Sequence, residues 1–194
     1  MEKSEHKADA DKLYAGLGKL PESVKNPALV LVNGLPGTGK TYFSKKLSER
    51  LPFVILESDA LRCVLNANPT HSKPESKRLF TAIHLLCERL LREGHSVIVD
   101  ATNLNERHRQ HFYNISDRLG VKMIIVYLAA TEQAVKERLD KRGKESGGNS
   151  DADWKVYLRM KKSVDKIKRK HYSLDTSKNY ENIPDEIIKE IKNQ

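Results

Sequence analysis

Along this chain, short apolar runs alternate with longer stretches in which apolar residues recur every three or four positions. The runs Ala28 to Val32, Phe53 to Leu56, Ser96 to Val99 and Val121 to Leu128 are rich in β-branched residues and read as strands buried on both faces. Tyr172 to Leu174 is a shorter candidate of the same kind. Between them the pattern turns helical. Phe43, Leu47 and Leu51 mark one helix over Tyr42 to Leu51, and Ser72 with Glu75 forms a capping box ahead of a long one. That long helix carries the stripe Leu79, Phe80, Ile83, Leu86, Cys87, Leu90 and Leu91. Asn105 caps a helix ending near Leu119, Thr131 to Arg142 forms the next, and a basic helix is expected from Ala152 to about Lys170. A last helix starts at Pro184.

Strands alternating with helices predict right-handed crossovers and an α/β fold, a five-stranded parallel sheet with helices on both faces. The 194 residues, 38% of them hydrophobic, suit one core. We assign it to residues 28–194, with 1–27 as an N-terminal segment: a mobile tail from Met1 to Asp11, then a short helix of Leu13, Tyr14, Leu17 and Leu20 capping the sheet. Pro21 to Pro27 connects it to the first strand. Only Cys63 and Cys87 are present, and neither a signal peptide nor a membrane-spanning apolar run is visible, so a reducing cytoplasm is expected. A net charge of +9 favours anionic partners without choosing among nucleic acid, nucleotides and acidic surfaces. The histidines show no metal-ligand spacing, and nothing in the chain fixes its oligomeric state.

Chemistry enters at Gly34-Leu35-Pro36-Gly37-Thr38-Gly39-Lys40-Thr41, which fits the P-loop pattern at every required position and has the strand before and the helix after that the geometry needs. Glycines let successive backbone NH groups converge on phosphate oxygens, Lys40 adds a cation, and Thr41 supplies a hydroxyl where such loops hold magnesium. ATP and Mg²⁺ are the expected occupants, and the topology becomes that of a P-loop kinase.

Phosphoryl transfer then asks for a base, a metal carboxylate and arginines. Asp59, at the carboxyl end of the second strand, is the candidate base, and Arg62, one helical turn on, the candidate holder of an anionic group on the acceptor. Asp100 ends the third strand where a carboxylate reaches magnesium. Arg138 and Arg142 share a helix face ahead of the Gly143 to Ser150 segment, which predicts a short lid over residues 138–154 closing on nucleotide phosphates, with Arg142 at the transferring group. In the basic helix, the face bearing Lys155, Arg159, Lys161, Lys162, Lys166, Lys168, Arg169 and Lys170 is either solvated or attracts a polyanion, while Trp154 and Tyr157 either pack in the core or stack on a base.

From about Ala28 to its C-terminus the chain resembles the AAA-type, ATP-binding P-loop kinases grouped with the 5'-hydroxyl polynucleotide kinases. The resemblance rests on Gly34 to Thr41, on Ser58-Asp59-Ala60-Leu61-Arg62, on Asp100-Ala101-Thr102-Asn103-Leu104-Asn105, and on Arg138 to Gly143. It implies that Asp59 serves as general base, that Arg62 contacts the acceptor's phosphate with Thr102 and Asn103 on the same side, and that Arg142 stabilises the migrating phosphoryl group. The implied acceptor is the 5'-hydroxyl of RNA or DNA. The Asp-x-x-Arg segment is also similar to that of adenylylsulfate kinases, which keeps a small-molecule alcohol open, and a nucleotide-binding regulatory module without an acceptor stands as a third reading.

Overall fold

A computed structural model describes residues 2–145, 154–177 and 184–193. Its centre is a parallel sheet of β1 (Ala28–Asn33), β2 (Phe53–Glu57), β3 (Ser96–Asp100), β4 (Lys122–Ala129) and β5 (Tyr172–Asp175) in the order β2-β3-β1-β4-β5. Every residue of β1 is buried, because alternate side chains serve two cores. Leu29 and Leu31 join one cluster with Leu79, Ile83, Leu86 and Phe112. Val30 and Val32 join the other with Phe43, Leu47, Ile187 and Ile191.

The helices are α1 (Glu2–Ala15), α2 (Lys40–Arg50), α3 (Ser58–Leu65), α4 (Lys73–Arg92), α5 (Glu106–Leu119), α6 (Glu132–Glu145), α7 (Trp154–Lys161) and α8 (Asp185–Lys192). The α/β, five-stranded parallel P-loop architecture read from the pattern is the one the chain adopts. β1 lies at the middle of the sheet, between β3 and β4, so the crevice at the strands' carboxyl ends opens where the P-loop leaves β1.

Three local expectations are corrected. Helix α1 begins at Glu2, so the segment expected to be a mobile tail is ordered as a helix. Its Leu13 is fully buried, and Asp9, only 5% exposed, makes a two-pronged pair with Arg78 of α4 at 2.6 Å for each bond. Two ion pairs to α4, Asp9 with Arg78 and Asp11 with Arg89, leave no periodic signal on an otherwise charged segment, which is why the sequence concealed it. Helix α6 runs past Arg142 and Gly143 to Glu145, so part of the expected glycine-rich loop is helical, and residues 146–153 of the expected lid lie outside the described residues.

The basic helix expected to reach Lys170 stops at Lys161. Residues 162–171 instead run without regular structure alongside α5, tied there by polar contacts that the sequence pattern could not show. Asp165 NH donates to the Leu104 carbonyl at 2.9 Å, and its carboxylate accepts from Glu106 NH at 2.9 Å. Arg169 pairs with Asp117 and lies over the Tyr113 ring, 4.4 Å from its centre.

The caps also differ in one detail. Asn105 Oδ1 accepts from Arg107 and His108 NH as expected. Ser72 caps α4 through Glu75 NH, but Glu75 does not reach back to Ser72. Its carboxylate instead accepts from Thr70 NH and hydroxyl, at 2.7 Å each, and pairs with Arg62.

Candidate active site

The P-loop follows β1 because two glycines admit backbone approaches that no side chain allows. A Cβ on Gly34 would lie 2.6 Å from the Leu128 carbonyl oxygen, and Gly37, at φ 79°, would place one 2.9 Å from Val135. Gly34 NH donates to the Thr102 carbonyl at 3.1 Å, so the loop after β3 fixes the start of the P-loop. Leu35 is buried with Leu104, Val135, Leu139 and Tyr157, and this small core seats the loop against α6 and α7. Thr38 is buried; its hydroxyl donates to the Leu35 carbonyl at 2.7 Å. Lys40 Nζ donates to the same carbonyl at 3.0 Å.

A cleft of about 860 Å³ opens over this loop, within the range for a bound small molecule. Pro36, Gly37, Gly39, Lys40 and Thr41 line it, as do Asp59, Arg62, Asp100, Thr102, Asn103 and Arg142. Gly34, Leu35 and Thr38 shape the loop from behind. Arg138 does not line the cleft: its guanidinium donates to the Gly37 carbonyl at 3.3 Å and to the Thr176 hydroxyl at 3.0 Å, and it also bonds the Thr176 carbonyl. In this structure Arg138 and Arg142, four residues apart on α6, therefore serve different places.

Charge is arranged tightly here. Glu57 and Asp100 stand opposite each other in the β2–β3 register, which brings two strand-end carboxylates together. Burial pushes the Glu57 carboxyl up, and nearby Asp100 adds to the effect. Burial also raises Asp100, against the Lys40 ammonium and the hydroxyls of Thr41 and Ser44, which favour its ionised form. Burial lowers Lys40, while Asp100 and Asp59 oppose that.

Asp100 is 2% exposed, and its Oδ2 is buried without a hydrogen-bond partner among the described residues. A buried acceptor left without a donor suits a cation, and a carboxylate beside the Thr41 hydroxyl is an all-oxygen set that fits magnesium, which takes one or two protein oxygens and retains water. Among the described residues there is no cluster of three or more His, Cys, Asp or Glu that could hold a metal ion.

Two expected acceptor residues have structural commitments. The Arg62 guanidinium pairs with Glu75, and both side chains are nearly buried. Asn103, at φ 46°, donates its amide to the Val32 carbonyl at 2.8 Å. Sequence reasoning missed Glu57, Phe80 and His108 in the lining. Glu57 could have been found as the last residue of its strand, but the two rings carry no signal separate from that of ordinary helix residues. It missed Arg109 too, which is 1% exposed and whose guanidinium donates to Glu106 at 2.7 Å and to the Asn103, Asp165 and Lys166 carbonyls at 2.7, 2.9 and 3.0 Å. Tyr157 is buried, and half-buried Trp154 stacks on it with 4.9 Å between ring centres, so the pair packs against the small core under the P-loop.

No helix among the described residues is long and apolar enough to cross a membrane. The chain is 27% identical over 122 residues to the L-seryl-tRNA(Sec) kinase of Methanococcus maripaludis, an alignment covering 60% of this chain and 47% of that protein. It thus spans about half the length of that curated relative. Its fold is similar to that of the Mycobacterium tuberculosis APS kinase CysC solved with AMPPNP and APS, with a TM-score of 0.62, 19% identity, and 86% of this chain and 96% of that one covered. It is also similar to a chain of the Pnkp1/Rnl/Hen1 RNA repair complex, with a TM-score of 0.57, 22% identity, and 66% and 41% covered. At such identities these likenesses speak to the P-loop kinase fold. The sequence model of the AAA domain family matches residues 29–167, well over half of the chain, and the protein belongs to that family.

Proposed function

We propose that the protein is an ATP-dependent phosphotransferase that moves the γ-phosphoryl group to a hydroxyl, and that the acceptor is the 5'-hydroxyl of RNA or DNA. The observation carrying this reading is that Lys40, Thr41, Asp59, Asp100 and Arg142 all line one cleft above the P-loop. A nucleotide needs the first two, a metal the second and fourth, and an incoming hydroxyl the third. An acceptor carried on nucleic acid is supported by the net charge of +9 and by relatives whose names place them on a seryl-tRNA and in an RNA repair complex.

In this reading the P-loop amides and Lys40 hold the β- and γ-phosphates. Asp59 accepts the proton of the acceptor hydroxyl as its oxygen bonds to phosphorus, while the bond to the β-phosphate oxygen breaks and ADP leaves. Arg142 meets the charge that builds up on the migrating group. Thr41 and Asp100 would hold magnesium, which neutralises phosphate charge when bound. Arg138 keeps the Gly37 carbonyl turned back into the protein, leaving the loop's amides for the nucleotide.

A second reading, a small-molecule alcohol as acceptor, is favoured by what became of the basic run after Trp154. Lys161 pairs with Glu132, Arg169 with Asp117 and Lys170 with Glu190, which compensates three of the basic residues that the run would offer to a polyanion. Labelled ATP, magnesium and a 5'-hydroxyl oligonucleotide test the acceptor directly: label on the oligonucleotide is expected. Label on sugars, nucleosides or metabolites alone would move the assignment to the second reading. Asp59→Asn separates both from a regulatory module, which would keep its full role without the carboxylate.

A further inference from the structure

Among the described residues five lysine and arginine side chains line the cleft, namely Lys40, Lys45, Arg62, Arg142 and Arg159. Lys40 is in the P-loop, and Arg142 lies close enough to it to disfavour its charge. Lys45 faces Glu57, whose carboxyl it helps keep ionised. Arg62 is neutralised by Glu75, with the two side chains only 7% and 10% exposed. Glu75 is itself fastened by the Thr70 NH and hydroxyl, which with Arg62 hold its carboxyl down to about 2, so it stays ionised throughout the physiological range. An anion approaching Arg62 meets a guanidinium whose charge is already compensated through its Nη1 bond to Glu75, so it gains less there than at an unpaired cation.

Arg159 is different. It projects from α7 into the same cleft, is exposed, and has no ion pair or hydrogen bond among the described residues. Its helix adds Val156 and Met160 to the lining, and α4 and α5 add Phe80 and His108, whose rings stack at 6.2 Å with 26° between planes. An unneutralised guanidinium and a pair of flat rings on one cleft match an anion and a base on one ligand.

We infer that Arg159, and not Arg62, holds the acceptor's phosphate, and that Phe80 with His108 carries its base, so the acceptor unit is a nucleoside phosphorylated away from the hydroxyl to be modified. This rests on the phosphotransferase reading. The Arg62–Glu75 pair then acts as a neutral strut between α3 and α4, keeping Asp59 at the cleft.

Calorimetric titration of the full chain, loaded with magnesium and a non-hydrolysable ATP analogue, tests the subsite without turnover. Adenosine 3'-monophosphate is expected to bind about tenfold to a hundredfold tighter than adenosine, the worth of one charge-assisted contact. Arg159→Ala should erase that preference while leaving the analogue's affinity unchanged, and Arg159→Lys should restore part of it. Phe80→Ala should weaken both ligands alike, by about tenfold. The double variant Arg62→Met with Glu75→Met, which leaves neither charge alone, should retain the phosphate preference. The inference is overturned if Arg159→Ala keeps the preference, or if neither ligand binds the loaded wild-type chain. An Arg159-dependent preference without label transfer from ATP would instead sink the phosphotransferase reading and leave the subsite standing.

Discussion

Replacing Arg109 by Met should unfasten the segment 162–171 from α5 and weaken the whole fold. The side chain is 1% exposed and makes four hydrogen bonds of 2.7 to 3.0 Å, three of them to backbone carbonyls. Each charged bond is worth about 1.5–3 kcal/mol, but the values do not simply add, because the freed carbonyls of 165 and 166 can turn to water. Removing one partner of a buried pair costs roughly 3–5 kcal/mol, and we take that as the expected loss. For a chain of this size it corresponds to a fall in Tm of roughly 6–20 °C. Urea and thermal melts measure it, and limited proteolysis should show new cleavage within 162–171. Arg109→Lys should recover only a fraction, since one ammonium cannot span Glu106 and three carbonyls. A loss below about 1 kcal/mol for the Met variant would refute the claim that this buried guanidinium is the clasp.

Three further outcomes follow from the site and its surroundings. Asp59→Asn should leave ATP affinity intact and lower turnover by roughly 10²–10⁴-fold in a labelled-ATP assay, whereas equal loss of binding and turnover would count against a proton-accepting role. Gly34→Ala should abolish nucleotide binding in a fluorescent-analogue titration, because its Cβ meets backbone at 2.6 Å and that carbonyl belongs to β4; near-normal binding would show the loop to be more yielding than its contacts imply. Burial holds His84 down to about 3 against an ordinary 6.5, and its Nε2 is buried without a hydrogen-bond partner among the described residues. The unfolded chain therefore takes up a proton near pH 6.5 that the folded chain resists, so this stability is present above pH 6.5 and is lost as pH falls towards 3. Between pH 7 and 5 the loss is about 2 kcal/mol, which His84→Phe should abolish in urea melts at the two values. A parallel shift in both proteins would mean that other groups dominate.

The P-loop and its flanking strand and helix were legible because their chemistry is local: glycines, a lysine and a threonine at fixed spacing, after an apolar run and before a periodic one. The same holds for Asp100, placed by the end of a strand, and for the five-stranded sheet. Arg62 shows the limit. Its spacing from Asp59 correctly put it on the cleft, yet Glu75, thirteen residues away, determines whether its charge is available. Gly143 suggested a hinge, but α6 continues through it, since one glycine in a helix costs only about 1 kcal/mol. The basic run after Trp154 looked helical by composition, while its true course was set by Asp165, Arg109 and Asp117.

By itself, then, the sequence determined the elements and the phosphate cradle, because periodicity and backbone freedom act over a few neighbouring residues. Tertiary structure alone decided which charges are neutralised and which remain open to a ligand. Arg62, Arg138 and Arg159 are one residue type with three fates: paired to Glu75, bound to the Gly37 and Thr176 carbonyls, and in the cleft without a partner among the described residues. A side chain's charge is known at once, but its compensation depends on partners that only the folded chain brings within reach.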